Sequence, residues 1–410
     1  MIKIASSNSV ALAWKTKQIT YAELQKLVSS TAKLIASLPQ PIFINLPKSD
    51  SQIVWLLACL KTETPFCLLD VENQQRNSSI LRQVPYGSWV SADQILQLPE
   101  HTMHGQYIVF TSGTTGEPKG VVCYQDSLVE VIESQAKRLG RIGRCGWYLN
   151  PAFDASLSDI LLPLLTGGTL YIPDFPTTNI KSLKQHLQAS SIEYTDLPPR
   201  YLNILSPNDC PKLKTLLVGG EPAAQEATEN WRHSVSLWNS YGPTEATVST
   251  SMCQISKPWE KPWLGQVLEG VEYNIMNGEL IIAGHLAKEY IGQEKLTAER
   301  FKIYHGKRYY HTGDIVGDDN GIFYVGRKDR QLKINGILIC PEEIEKYLSP
   351  IDCVVFKNNG RLTIATTNKA ETLKKLETAK FPRGKIVELS SFPRTISGKP
   401  DIQKIKEQLT

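Results

Sequence analysis

Between Pro41 and Val218 short apolar runs alternate with helix-patterned segments, and this alternation constrains the fold more than any other feature of the chain. Pro41-Ile-Phe-Ile-Asn-Leu46, Pro65-Phe-Cys-Leu-Leu-Asp70, Tyr107-Ile-Val-Phe110, Gly168-Thr-Leu-Tyr-Ile-Pro173, Ile192-Glu-Tyr-Thr195 and Leu213 to Val218 read as strands. Ser51 to Lys61 and Ile180 to Ala189 read as helices. Strands separated by helices imply a largely parallel sheet with both faces covered. Upstream, Thr20 followed three residues later by Glu23 forms a capping box. Leu24, Leu27, Ala32, Leu34 and Ile35 carry the apolar stripe of the helix it opens.

From Pro258 the pattern changes. Glu272–Met276 and Glu279–Ala283 read as antiparallel strands joined at Asn277-Gly278, a hairpin turn. Asp319-Asn-Gly321 is a second turn, leading into Ile322-Phe-Tyr-Val-Gly326. After Gly326-Arg-Lys-Asp329 a charge-rich tail begins. It is predicted to hold a helix over Pro341–Leu348, strands around Val354 and Leu362, and a basic terminal helix. The expected fold class is α/β. A large N-terminal domain, 1–327, carries parallel-rich sheets with helices and a short β-barrel-like part; a small α+β domain covers 328–410. At 410 residues the chain is long enough for two domains.

Composition excludes several classes. Hydrophobic residues at 41% and charged residues at 21% are those of a soluble globular protein. A net charge of +4, with scattered lysines and arginines, is not the dense basic stripe of a nucleic-acid binder. The eight cysteines show no Cys-x-x-Cys pairing and read as reduced thiols. The N-terminus lacks a signal-peptide pattern, and the apolar run Ile53–Leu60 is too short to span a bilayer. A cytoplasmic monomer or weak oligomer, without nucleic-acid or membrane partners, is expected.

The chemistry is signalled at Tyr107-Ile-Val-Phe-Thr-Ser-Gly-Thr-Thr-Gly-Glu-Pro-Lys-Gly120. A strand that enters the core is followed by Thr111, Ser112, Gly113, Thr114, Thr115 and Gly116, a run of hydroxyls and glycines that cannot bury itself. It offers the backbone N–H groups and small hydroxyls that a polyphosphate needs, and Lys119 adds a cation. It is not a Walker loop, since Gly120 follows Lys119 where Ser or Thr would stand.

Further motifs follow in order: Phe153-Asp-Ala-Ser156, Asn239-Ser-Tyr-Gly-Pro-Thr-Glu245, Tyr310-His-Thr-Gly-Asp314, Gly326-Arg-Lys-Asp-Arg-Gln-Leu-Lys-Ile-Asn-Gly336 and Ser397-Gly-Lys-Pro-Asp401. With the phosphate loop they make the chain resemble the AMP-forming acyl- and aminoacyl-activating enzymes, the adenylation-domain superfamily. Within it the chain is similar to a free-standing amino-acid adenylation domain of nonribosomal peptide synthesis. The resemblance runs from Thr20 to Asp401.

The resemblance implies ATP and Mg²⁺ as cofactors. It places the β- and γ-phosphates on the Thr111–Gly116 loop and Lys119, the α-phosphate at Thr244, and Mg²⁺ on Glu245. Tyr241 would stack on adenine within the Asn239, Ser240, Gly242 segment, with Gly219, Gly220, Glu221 and Pro222 as the opposite wall. Asp314, assisted by Tyr324 and Arg327, would take the ribose hydroxyls. Lys399 would be the catalytic lysine of the adenylation half-reaction. Asp329 would be the hinge for domain rotation between that step and transfer to a thiol.

Asp154 of the Phe153 motif would pair with a substrate α-ammonium, which favours an α-amino acid. The alternative for Asp154 is a cap on the helix that follows. The family's specificity pattern adds Ala155, Ser158, Asp196, Leu217, Gly219, Ser240, Val248, Ser249 and Lys399 to the substrate pocket. Asp196, a second buried carboxylate, calls for a cation or donor. A basic side chain (lysine, ornithine or a shorter diamino acid) is the first expectation, an amide or carboxyl side chain the second; pairing of Asp196 with Arg200 would undo both. No carrier module follows Lys399, so the expected acceptor is the phosphopantetheine thiol of a separate peptidyl carrier protein. The rival readings are an aryl- or acyl-CoA ligase and a catalytically silent interaction protein. Asn335 where arginine is common, and Leu338-Ile-Cys-Pro-Glu-Glu343, depart from the family pattern in the hinge region.

Overall fold

The computed structural model of the chain describes residues 7–14, 16–112, 118–334, 337–358, 360–377, 379, 381–382, 384–395 and 398–409. The chain divides into two compact units. Met1–Trp259, Leu264–Asn274 and Ile281–His311 form the first; Glu260–Trp263, Ile275–Leu280 and Thr312–Thr410 form the second. The boundary expected at 327/328 falls within the second unit.

The first unit contains two large sheets. The nine-stranded sheet runs in the order Gln266–Val267, Ser251–Gln254, Ser236–Tyr241, Thr215–Gly219, Tyr194–Leu197, Arg144–Gly146, Thr169–Ile172, Val10–Trp14, Lys17–Thr20. From Ser236–Tyr241 to Val10–Trp14 all neighbours are parallel, and the outer strands are antiparallel. The seven-stranded sheet runs Glu289–Tyr290, Pro118–Tyr124, Gln106–Ser112, Phe66–Leu68, Ile42–Ile44, Ser88–Val90, Ile95–Gln97. Its middle is parallel too. Ile42, Phe43 and Ile44 are fully buried, as continuous apolar strands covered on both faces must be. The expected parallel-rich α/β architecture is therefore present.

Local signals set the helices. Tyr21–Ile35 opens on the expected capping box: the Glu23 carboxylate accepts from the Thr20 amide at 2.8 Å. Ala155–Thr166 is buried from Ser156 to Leu164, with Leu157, Ile160, Leu161, Leu162 and Leu164 packed beside buried Ser156, Ser158 and Asp159, and it ends at Gly167 in the left-handed region. Asp154 caps its start.

The second unit holds the two-stranded ladder Leu332–Ile334/Ile337–Ile339 and a three-stranded sheet, Cys353–Asn358, Arg361–Thr366, Lys385–Glu388. The helix Pro341–Leu348 packs Ile344 and Leu348 against Val355, Leu362 and Ile364. It starts on proline, where the missing N–H costs nothing. The antiparallel strands expected as a barrel-like part do not close into a barrel among the described residues. Phe301–Tyr304 pairs with Lys307–Tyr310 in the first unit, and Asp314–Asp318 pairs with Ile322–Arg327 in the second. The eight cysteines are all free. No helix among the described residues is long and apolar enough to cross a membrane.

Candidate active site

The expected phosphate loop is the connection of an antiparallel hairpin. Strands Gln106–Ser112 and Pro118–Tyr124 put Thr111 opposite Lys119 and Ser112 opposite Pro118. Gly113, Thr114, Thr115 and Gly116 lie outside the described residues. The Lys119 ammonium stands 5.5 Å from the centre of the Tyr290 ring. The Tyr290 hydroxyl donates to Glu245 Oε1 at 2.7 Å. Tyr290 therefore links the lysine and the carboxylate that the motifs single out. Sequence reading passed over it because a tyrosine in a short strand looks like core. Its role follows only from the pairing of Tyr290 with Val121, which sets it beside the hairpin.

Glu245 sits in a short 3-10 turn, Thr244–Ala246, and is buried. Among the described residues, that hydroxyl is the one side-chain hydrogen-bond donor to its carboxylate. A hydrogen bond to a charged group is worth about 1.5–3 kcal/mol. Tyr290→Phe is expected to raise the KM for Mg·ATP by about tenfold and leave the KM of the second substrate unchanged, as read by ATP–pyrophosphate exchange.

Asp154 answers both readings made of it. Oδ1 accepts from the Ala155 amide at 2.9 Å at the start of helix Ala155–Thr166. Oδ2 is sealed from solvent and has no hydrogen-bond partner among the described residues. Burial pushes the carboxyl up to about 6; the Thr244 hydroxyl and the Ala155 amide oppose the rise, and Glu245 adds to it. A carboxylate with one bare oxygen thus lies beside Thr244 and Glu245. Next to it is a small cavity lined by Tyr107, Val109, Phe153, Asp154 and Leu157 among others.

The other expected pocket residues share one sheet face. Parallel register pairs Asp196 with Leu217, and Gly219 with Ser240, so these four side-chain positions point the same way. They lie toward the carboxyl ends of parallel strands, where open α/β sheets bind ligands. A Cβ on Gly219 would stand 2.5 Å from the Ser240 carbonyl oxygen, so only glycine fits. Ser240 and Ser249 share a hydrogen bond of 2.6 Å, and Ser158 donates to Gln135 at 3.0 Å. Thr247 and Val248 both have positive φ, 59° and 62°. For a β-branched pair this is costly backbone, and such strain collects at functional sites. Tyr241 and Gly242 are half-buried at the end of Ser236–Tyr241, with Tyr273 edge-on to the Tyr241 ring at 6.4 Å. Asn239 is buried, and Ala155 and Phe153 are half-buried.

Asp196 is not tied to Arg200. The Arg200 guanidinium reaches Glu221 at 3.3 Å, next to Gly220 and Pro222 of the expected adenine wall. Asp196 is 7% exposed and makes no ion pair among the described residues. Burial raises its carboxyl to about 8.

In the second unit, Arg327 gathers the expected ribose and hinge residues. Its Nη1 lies 2.9 Å from Asp314 Oδ1 and 2.8 Å from the Thr312 carbonyl. Its Nε and Nη2 hold the Asp329 carboxylate at 3.2 and 3.1 Å. Asp314 is buried, and burial raises the Tyr324 hydroxyl. Lys328 pairs with Glu279 at 3.0 Å, and Glu279 accepts from the Gly313 amide. Lys399 is exposed in a turn closed by the Thr395 amide on its carbonyl at 2.7 Å, just before the helix Ile402–Glu407 that Asp401 caps.

Among the described residues no group of three or more His, Cys, Asp or Glu side chains is arranged to hold a metal ion. Mg²⁺ bound together with phosphates needs only one or two carboxylates, so a single Glu245 fits such a site.

The model of the AMP-binding enzyme family matches residues 71–288. Tyrocidine synthase 2 of Brevibacillus parabrevis is 28% identical over 396 residues, covering 84% of this chain. Nonribosomal peptide synthetase cm3A of Cordyceps militaris is 34% identical over 272 residues, covering 59% of this chain. The chain spans only 11% and 6% of the length of these two relatives. Klebsiella oxytoca NpsA, solved in complex with 3-hydroxyanthranilyl-AMSN, superposes with a TM-score of 0.82 at 22% identity, covering 98% of this chain and 96% of that one. At that identity the likeness is one of fold.

Proposed function

Because the chain belongs to the AMP-binding enzyme family, we propose that it activates an α-amino acid with ATP and passes the product to the phosphopantetheine thiol of a separate carrier protein. In the first half-reaction a carboxylate oxygen of the amino acid attacks the α-phosphorus. The bond to the β-phosphate breaks, pyrophosphate leaves, and an aminoacyl-AMP remains. In the second, the aminoacyl group moves to the thiol and AMP leaves.

Both reacting groups of the first step are anions, so the barrier is largely electrostatic. Lys119 and the Thr111–Gly116 loop hold the β- and γ-phosphates, and Thr244 touches the α-phosphate. Glu245 holds Mg²⁺, which would supply charge neutralisation at the phosphates. Tyr241 and the Gly219–Pro222 wall take the adenine, while Asp314, with Arg327 and Tyr324, takes the ribose. Lys399, carried by the domain 328–410, neutralises the carboxylate and α-phosphate in the adenylation step. Asp329 is the pivot.

One observation carries the amino-acid reading. The bare, buried Oδ2 of Asp154 stands beside Thr244 and Glu245. A buried carboxylate without a partner is expensive, and a substrate α-ammonium supplies that partner. Buried Asp196, left alone by Arg200, supports a basic side chain (lysine, ornithine or a shorter diamino acid) ahead of an amide or carboxyl one. The test is ATP–pyrophosphate exchange across the proteinogenic amino acids, ornithine, 2,4-diaminobutyrate and aryl acids, with Asp196→Ala beside the wild type. Exchange with a basic amino acid, lost in Asp196→Ala, is the expected result. Exchange with aryl acids alone would overturn the amino-acid reading.

A further inference from the structure

Strand Ser236–Tyr241 ends at Tyr241, and the chain returns as Ser251–Gln254 with Ser251 directly opposite Tyr241. Only glycine fits at 242: a Cβ there would stand 2.5 Å from the Val248 carbonyl oxygen and 2.6 Å from Ser249 Cα. The Tyr241 carbonyl accepts from the Thr250 amide at 2.8 Å and lies 3.0 Å from the Thr250 hydroxyl. Thr250 and Ser251 are fully buried. The backbone that carries the Tyr241 ring is therefore pinned.

The ring has a support of its own. Tyr273, in strand Glu272–Met276, stands edge-on to it, with the ring planes at 87° and the centres 6.4 Å apart. Aromatic quadrupoles favour this perpendicular geometry. The Tyr273 hydroxyl lies 2.5 Å from Thr250 Oγ1 and 3.0 Å from Ser251 Oγ, and Ser251 Oγ lies 2.7 Å from the Leu264 carbonyl oxygen. Proton counting gives the chain a direction. A carbonyl only accepts, so Ser251 donates to Leu264. Ser251 then accepts from Tyr273, and Tyr273 accepts from Thr250. Each of the three hydroxyls donates one proton. Thr250 thus meets both tyrosines: its amide holds the Tyr241 backbone and its hydroxyl holds the tip of Tyr273. All five residues belong to the first compact unit.

We propose that Tyr273 is a positioning residue for the nucleotide: it holds the Tyr241 ring in the orientation that stacks on adenine. The inference rests on the adenine site proposed above. Tyr241 is half-buried at a strand end, where a ring without a neighbour would exchange rotamers. A ring ordered before binding loses no such freedom when the base arrives, so the stacking contact is kept in full. Tyr273 acts on the base through Tyr241.

The test is a mutant cycle on the full chain, read as the Kd of Mg·ATP by equilibrium dialysis, which needs neither an amino acid nor turnover. Tyr241→Leu should weaken ATP binding by about tenfold, the scale of one lost base–aromatic stack. Tyr273→Leu removes the supporting ring and should weaken it by about fivefold. Tyr273→Phe keeps the ring, gives up the hydroxyl chain and should weaken it by about threefold. The phenylalanine variant decides the question if thermal melting shows the leucine variant to be unfolded. In the Tyr241→Leu background both Tyr273 substitutions should move the Kd by less than about 1.5-fold, because no ring remains to be positioned. A merely structural role predicts the same loss in either background. That result, or an unchanged Kd in the folded Tyr273 variants while Tyr241→Leu weakens ATP binding, would overturn this inference alone. An unchanged Kd in Tyr241→Leu would overturn it together with the placement of adenine on Tyr241.

Discussion

Alanine at Lys399 will cut amino-acid-dependent ATP–pyrophosphate exchange by about 10²–10³-fold, the range found when one preorganised donor to a developing charge is removed. The argument is electrostatic. A carboxylate closing on an α-phosphate meets mutual repulsion that only fixed cations relieve, and Lys399 is the cation proposed for that point. Its turn suits such a role: Gly398, at φ 81°, and the Thr395–Lys399 hydrogen bond hold the backbone while the side chain is exposed. An exposed substitution of this kind costs the fold about 0.5 kcal/mol or less, so lost exchange reports on chemistry. Transfer from pre-formed aminoacyl-AMP to a carrier protein should survive in the variant, because no phosphate repulsion remains in that step. Loss of both half-reactions together would show that Lys399 acts elsewhere.

The second large effect is at Asp154. Asp154→Asn should raise the amino-acid KM by about 10²-fold or more, since breaking a buried ion pair costs about 3–5 kcal/mol. Asparagine keeps the oxygen that accepts from the Ala155 amide, so the cap survives and only the charge is lost. The wild type carries its own control in pH. Burial raises the Asp154 carboxyl to about 6. Below that value a proton occupies the group and the substrate ammonium loses its partner; above it the charge is present. The Asp154 step should therefore appear as a rise of about tenfold in the amino-acid KM on going from about pH 7 down to about pH 5. That rise should vanish in Asp154→Asn. A wild-type profile without the step, or an Asp154→Asn KM within about threefold of wild type, would remove Asp154 from amino-acid recognition.

Much of the local architecture was legible from residue pattern. The Thr20–Glu23 capping box, the helices Ile180–Ala189 and Pro341–Leu348, and the turn at Asn277-Gly278 stand where they were expected. Each is written within a few residues: a cap satisfies its own amides, and an Asn-Gly pair accepts positive φ without help from elsewhere. The Ile192–Thr195 strand was misplaced by two residues and runs over Tyr194–Leu197. The shift matters, because it puts Asp196 inside the sheet with its register fixed against Leu217.

The sequence alone determined the family of folds, the order of the motifs and the residue types offered to a polyphosphate and a carboxylate. Those properties depend on local periodicity and on side-chain chemistry that a linear chain carries openly. Only the tertiary structure decided which of these groups meet. It inserted Arg144–Gly146 between Tyr194–Leu197 and Thr169–Ile172, brought Tyr290 to Glu245, and turned Arg200 toward Glu221. It gave the two oxygens of Asp154 different fates. The reason is physical. Charges and donors far apart in sequence become neighbours through strand order and helix packing, and the cost of burial then falls on whichever group the packing leaves without a partner.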